Sequence, residues 1–471
     1  MKTVIRKYGI EIARDFLCVA VFLIAVLTGG KTAGIAPFAI AMLLLISAGL
    51  VLLRDTKYLT LPFLLLCLLF IFCYDSFSVF IRYVWLMPIP IAALIWHVIR
   101  LKPRLFTGPT LFPLIAVALA TVLGGIGMIS ATDYFRPAAL GFMAGLGPVL
   151  VICYLLLKNT VRDASARDML AEDLLRWGLT ASAIVFFYNL PLLLKNGISM
   201  FQGAQWGNNI GTMLMMALPA ALAVKNRRLY HYGLAFIMLV AAVLSGSRGA
   251  QLFTPIEFLL CCFWGWRTEK DYLRRLWSRT FFLLSLMTMG YLIFFVSRNL
   301  YALGFLDPTE ARWSLLERGF ADFRQNPVFG SGLGYRGNAD LYSGKEGTIN
   351  WYHSSVAQIV GGLGAVGILA WCWQSCMRMR VSLLAWRDRS FGFALCYLGL
   401  FLMSLVNPGE FCPVPYAFLA VYFFVAIESA LTEMGNLPSK SRLPLRFAAW
   451  LKSRKNTKKP IESQYDQSAF L

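Results

Sequence analysis

The chain has 471 residues, of which 58% are hydrophobic and 14% charged, with a formal net charge of +20. A soluble domain carries roughly a quarter charged residues, so this composition excludes an ordinary globular protein and indicates an integral membrane protein. The basic residues are scattered in short clusters between apolar runs, which reads as membrane topology and not as a nucleic-acid-binding face.

A spanning helix needs about 20 mostly apolar residues. In chain order, such runs fall near 14–30, 34–53, 58–74, 77–99, 109–131, 136–157, 176–194, 208–224, 230–246, 250–266, 280–297, 355–374, 390–406 and 413–431. They predict an all-α, polytopic membrane protein of about 12–14 transmembrane helices. Only Asp75 and Ser76 separate the third run from the fourth, the least secure pair in the count. The first run has no small-residue cleavage site and is expected to be a retained helix. Cysteines lie in or near apolar runs, without metal or disulfide spacing, and read as small packing residues.

Lys and Arg collect on the cytoplasmic side. With the N-terminus inside, the inner segments hold most of the basic residues, including Arg54, Arg100, Lys158, Arg227, Arg267, Arg275, Arg279 and Arg378. Both termini are therefore expected in the cytoplasm. Residues 1–431 form the membrane domain. Residues 432–471, with "KSRKNTKK", form a basic tail expected to be disordered and drawn to anionic headgroups.

The same alternation gives one long outer loop, 298–354. Asp307 and Pro308 are a plausible helix start. Trp313, Leu316, Phe320 and Phe323 then recur at helical spacing, predicting an amphipathic helix on the membrane surface, stopped by Asn326–Pro327. Glycines 330, 332 and 334 follow, in a turn. His353 lies at the outer mouth of the twelfth run, whereas His97 and His231 sit at inner ends as interfacial histidines. Arg136, Arg248, Arg312, Arg318, Arg324 and Arg336 also fall outside, against the charge bias. Guanidinium groups hold phosphate oxygens with forked hydrogen bonds, so arginines converging on a histidine point to an anionic, phosphate-bearing ligand. The plainer alternative is a histidine that anchors a helix end.

The stretch "HSSVAQIVGGLGAVG" resembles the O-antigen ligase family: His353, a small polar Ser354, nine residues, Gly364, two residues, Gly367. "RGAQL", Arg248 to Leu252, fits the same family's arginine, three residues, leucine motif. "NPVFGSGLG" resembles the turn before the histidine in the wider O-antigen ligase and polymerase superfamily. The resemblance covers about 200–410. It implies a GT-C-like, metal-independent membrane glycosyltransferase of the bacterial inner membrane, with its active site on the extracytoplasmic face. The implied donor is a glycan on undecaprenyl pyrophosphate, and the acceptor is a lipid A core or another glycan. A polymerase of the same superfamily is the alternative, an enzyme acting on a Gram-positive surface polymer another, and a transporter of lipid-linked glycans a further one.

That chemistry assigns roles. Arg248 is the first choice to hold the leaving diphosphate, with Arg136 and a loop arginine, Arg312 or Arg318, assisting. His353 is either the general base for the acceptor hydroxyl or, protonated, a second diphosphate ligand. Glu410 is expected to face outward and to orient His353 or bind sugar hydroxyls. Asn208 contacts sugar or caps its helix, and Glu257 lies at membrane depth, where acids are costly. No outer carboxylate cluster has metal-ligand spacing, so neither metal nor cofactor is expected. Glycines 361–367 are read as close helix packing that fixes the height of His353.

Overall fold

The computed structural model describes residues 2–72, 84–101, 108–130, 134–135, 137–196, 207–225, 227–298, 309–333 and 352–437. Its architecture is all-α, with no strand among the described residues. The helices are α1 (Lys2–Thr28), α2 (Thr32–Leu52), α3 (Thr60–Phe72), α4 (Pro88–Leu101), α5 (Leu111–Leu123), α6 (Pro137–Leu146), α7 (Pro148–Thr160) and α8 (Ala164–Asn196). They continue with α9 (Gly207–Ala217), α10 (Ala220–Ala223), α11 (Leu229–Leu244), α12 (Arg248–Thr268) and α13 (Tyr272–Arg298). The last four are α14 (Thr309–Gln325), α15 (Ser355–Leu384), α16 (Phe391–Ser404) and α17 (Phe418–Glu433).

Each run singled out in the sequence carries a helix, and among the described residues six helical segments are long and apolar enough to cross a membrane. The chain is an all-α polytopic membrane protein. Proline breaks two of the expected spans: Gly147–Pro148 divides α6 from α7, and Leu218–Pro219 divides α9 from α10. Proline lacks an N–H and clashes with the preceding turn. The basic tail from 438 onward lies outside the described residues.

The core is built around α17, in which every residue from Leu419 to Leu431 is buried. It packs on α7, α15 and α16. Its apolar side chains can be hydrophobic all round because protein surrounds it on every side. The interior also holds charge. Glu428 of α17 accepts from the Thr110 backbone N–H at 2.8 Å, the Thr110 hydroxyl at 2.6 Å and Lys158 Nζ at 3.0 Å. Lys158, expected in an inner loop, is thus a buried partner of an α17 carboxylate. Similarly, α8 begins 12 residues before the expected 176, and its added turns place Asp173 against Arg14 of α1.

Candidate functional site

His353 immediately precedes α15. Its backbone has φ +52°, and it is the one non-glycine residue among those described with positive φ. Histidine tolerates that left-handed conformation at a cost of roughly 1–2 kcal/mol, so its neighbours must hold it there. Ser355 donates to the Ser404 carbonyl at 2.7 Å, tying the start of α15 to the end of α16. Tyr352, buried, donates its hydroxyl to Asp322 Oδ2 at 2.6 Å and lies 3.2 Å from Ser331 Oγ, and its N–H reaches Gln358 Oε1 at 3.3 Å. Burial pushes the Tyr352 hydroxyl pKa up and the Asp322 charge raises it further, while Arg318 opposes the shift. Tyr352 therefore remains a proton donor to Asp322.

Below His353 lies a backbone seam. The turn after α14 pairs with α15 through Ser331 N–H to Gly361 O at 2.9 Å and Gly332 N–H to Gly362 O at 2.8 Å. Beyond them, Ala365 N–H donates to Pro327 O at 2.8 Å and Val366 N–H to Val328 O at 3.1 Å. These bonds need α15 to be interrupted, and it is: Gly364 has φ +63° and ψ −157°. The sequence reading of this glycine run as close helix packing holds at Gly361, which abuts Gly319 of α14. At Gly364 the reading is corrected, because the glycine serves a break in the helix. Helix α14 stops at Gln325, as Asn326–Pro327 indicated, but Leu315, Gly319 and Asp322 form its buried face. The apolar stripe picked from the sequence points away, with Trp313 and Phe320 exposed.

Arg248 opens α12. The preceding Ser247 caps that helix by accepting from Ala250 N–H at 3.3 Å, and its hydroxyl donates to Asn208 Oδ1 at 2.9 Å. Asn209, beside it, receives the Tyr416 hydroxyl on its carbonyl at 3.0 Å. A Cβ on Gly249 would meet Met403 Sδ and Val406 Cγ2 at 3.0 Å each. The end of α16 therefore touches both the α12 start, with Arg248, and the α15 start, just after His353. His353, Arg248 and Asn208 share one end of the bundle.

The remaining expected residues divide. Arg136 and the side chain of Arg312 lie outside the described residues. Arg318 stands on α14 near Tyr352. Glu410 is not an outward-facing acid. It sits in a short 3-10 turn, Gly409–Phe411, buried, with its carboxylate accepting from Arg378 Nη1 and, at 3.1 Å, from the Tyr397 hydroxyl. Arg378 itself, counted among inner-loop charges, is a buried residue of α15, which runs ten residues past the expected 374. The loop between α16 and α17 thus folds back into the bundle and is pinned by this ion pair. Glu257 is fully buried in α12, and a Cβ on Gly399 would lie 2.4 Å from its Oε1. Among the described residues, no group of three or more His, Cys, Asp or Glu is placed to hold a metal ion. Tyr352, Asp322 and Ser331 were not singled out together by the sequence; only the closeness of Tyr352 to His353 hinted at them.

Fold and site together define a helical membrane protein in which the end of α16 packs against the start of α12 and the start of α15. Residues 233–372 match the family model described as O-antigen ligase, which supports a likeness to the O-antigen ligase/polymerase superfamily over that segment. Members of that family are membrane enzymes of the glycosyltransferase or ligase type. The matched segment is narrower than the 200–410 read from the motifs, and it contains both Arg248 and His353. No curated protein and no solved structure matches the chain.

Proposed function

We propose that this protein is an O-antigen ligase-like glycosyltransferase that moves a glycan from undecaprenyl pyrophosphate to an acceptor hydroxyl, without a metal, on the extracytoplasmic face of the bacterial inner membrane. The acceptor is a lipid A core or another surface glycan. The observation that supports this reading is that the residues flanking the two motif positions, Gly249 beside Arg248 and Ser355 two after His353, both pack on the last turn of α16. In the reaction, the acceptor oxygen attacks the anomeric carbon as the bond from that carbon to the diphosphate oxygen breaks. The hydroxyl proton passes to the His353 imidazole. The electron pair leaves with the diphosphate, whose developing charge Arg248 stabilises in a site shielded from water. Asn208, held by Ser247, is positioned to contact the sugar, with Arg318 at the loop side. Arg136 and Arg312 complete the anion-binding set in this proposal. Glu410, engaged by Arg378, positions the returning loop and does not reach for substrate.

The test is reconstitution of the purified protein with a lipid-linked oligosaccharide donor and, separately, a lipid A core acceptor or a second lipid-linked unit. Product on the core identifies a ligase, and a ladder of longer lipid-linked chains identifies a polymerase. His353→Ala and Arg248→Ala are each expected to abolish product while inserting normally in the membrane. Near-native turnover in either variant refutes the assigned roles.

A further inference from the structure

At the other end of α12 from Arg248, about 30 Å along the helix, the α12–α13 hairpin encloses a pocket of about 360 Å³. Its walls are Trp266, Arg267, Tyr272, Arg275, Leu276 and Arg279. The carboxylates nearest in sequence are committed elsewhere: Glu269 pairs with Arg227 and Arg274, and Asp271 with Arg274. Among the described residues, none of Arg267, Arg275 and Arg279 has an ion-pair partner within 4.0 Å. Arg279 leans over the Trp266 ring, 5.9 Å from its centroid. Charge that serves only to orient a membrane protein has no need to converge, yet here three guanidinium groups, without an ion-pair partner among the described residues, line one concavity.

The surface continuing from this pocket is apolar. Arg275, Arg279, Leu283 and Met287 follow one another at four-residue spacing along α13, so they share a face. Leu276, Leu283 and Met287 are exposed, Met287 at 74%. A headgroup site above an aliphatic track that is exposed among the described residues is the shape of a phospholipid.

We propose that this pocket binds the phosphate of an anionic phospholipid, with the acyl chains lying along Leu283 and Met287. Arginine forks hold phosphate oxygens with charge-assisted hydrogen bonds, and Trp266 and Tyr272 suit the headgroup depth. The proposal does not rest on the transfer reaction, because the pocket is a helix length from the candidate site.

Native mass spectrometry of the delipidated full-length protein in detergent, titrated with phosphatidylglycerol, tests it. Wild type is expected to retain one tightly bound lipid. The double variant Arg275→Gln/Arg279→Gln is expected to bind roughly thirty-fold more weakly, on the usual worth of two basic residues near an anionic lipid. The charge-matched control Arg380→Gln/Arg387→Gln is expected to bind like wild type. Inorganic phosphate at millimolar concentration is expected to leave the lipid in place. An equal loss in the control, no loss in the pocket variant, or displacement by inorganic phosphate alone overturns the assignment.

Discussion

Replacing Gly364 by alanine tests whether the break in α15 is what holds the α14 turn. The residue's φ of +63° and ψ of −157° lie in a region that is essentially confined to glycine and costs other residues about 1–3 kcal/mol. A Cβ there would stand 2.6 Å from Gly330 N and 2.7 Å from the Val328 carbonyl carbon and oxygen. All three are backbone atoms, so no side chain can swing aside and the seam must open. Losing two of its hydrogen bonds adds about 2 kcal/mol, giving a destabilisation of about 3–5 kcal/mol in all. Gly362 is the internal control. Its Cβ would meet only Gln358 Nε2 at 3.6 Å and Gly332 O at 3.8 Å, both ordinary contacts. Thermal unfolding of the purified protein in detergent should therefore show Gly364→Ala melting well below wild type and Gly362→Ala close to it. Transfer activity should fall with the first and survive the second. Equal melting temperatures for the two variants would show that the seam carries no such constraint.

Three further outcomes are expected. His353→Gly relieves the left-handed backbone that His353→Ala keeps, so both lose transfer but the glycine variant melts higher; matched melting temperatures refute the strain. Arg378→Ala leaves the buried Glu410 carboxylate without its guanidinium and should cost about 3–5 kcal/mol. Replacing both partners with apolar residues should recover part of that loss, and a wild-type melting point for Arg378→Ala would contradict it. Tyr352→Phe removes the hydroxyl bonded to Asp322 and should lower stability at neutral pH by about 1.5–3 kcal/mol. Because the folded-state pKa of Tyr352 is raised, its contribution is complete below the unfolded value of about 10 and is lost as pH climbs through the folded value. The wild-type advantage should thus be flat to about pH 9 and narrow above 10; a gap that widens with pH would reverse the sign.

What the sequence disclosed follows from the range of its signals. Hydropathy reports the solvent of a segment, so each apolar run carries a helix. Asn326–Pro327 is a local stop and ended α14 as read. Partners separated by tens or hundreds of residues leave no such trace. Ser247 with Asn208, Tyr352 with Asp322 and Lys158 with Glu428 are decided by how helices pack, and neither periodicity nor composition names them. Charge counting misplaced Arg378 for a related reason. The positive-inside rule treats every arginine as a solvated end, whereas Arg378 prolongs α15 and finds its carboxylate in a loop folded back from beyond α16.

That error bears on mechanism. Charged side chains at membrane depth often mark transport pathways, so buried charge bears on the choice between an enzyme and a transporter. The structure holds buried ion pairs at Arg378–Glu410, Lys158–Glu428 and Arg14–Asp173. Each is compensated, and each joins segments distant in sequence: α15 to the returning loop, α7 to α17, and α1 to α8. A moving ion pathway needs charges that change partners, and truncating one member of a compensated buried pair is costly. These pairs therefore act as fasteners between helices. The Arg378–Glu410 fastener matters most for the candidate site, because it fixes the segment after Ser404, whose carbonyl receives Ser355 next to His353. Weakening it should reach the histidine through the end of α16, so Arg378→Ala ought to lose transfer at temperatures where it is still folded. Full transfer by folded Arg378→Ala would instead make the ion pair a matter of stability alone.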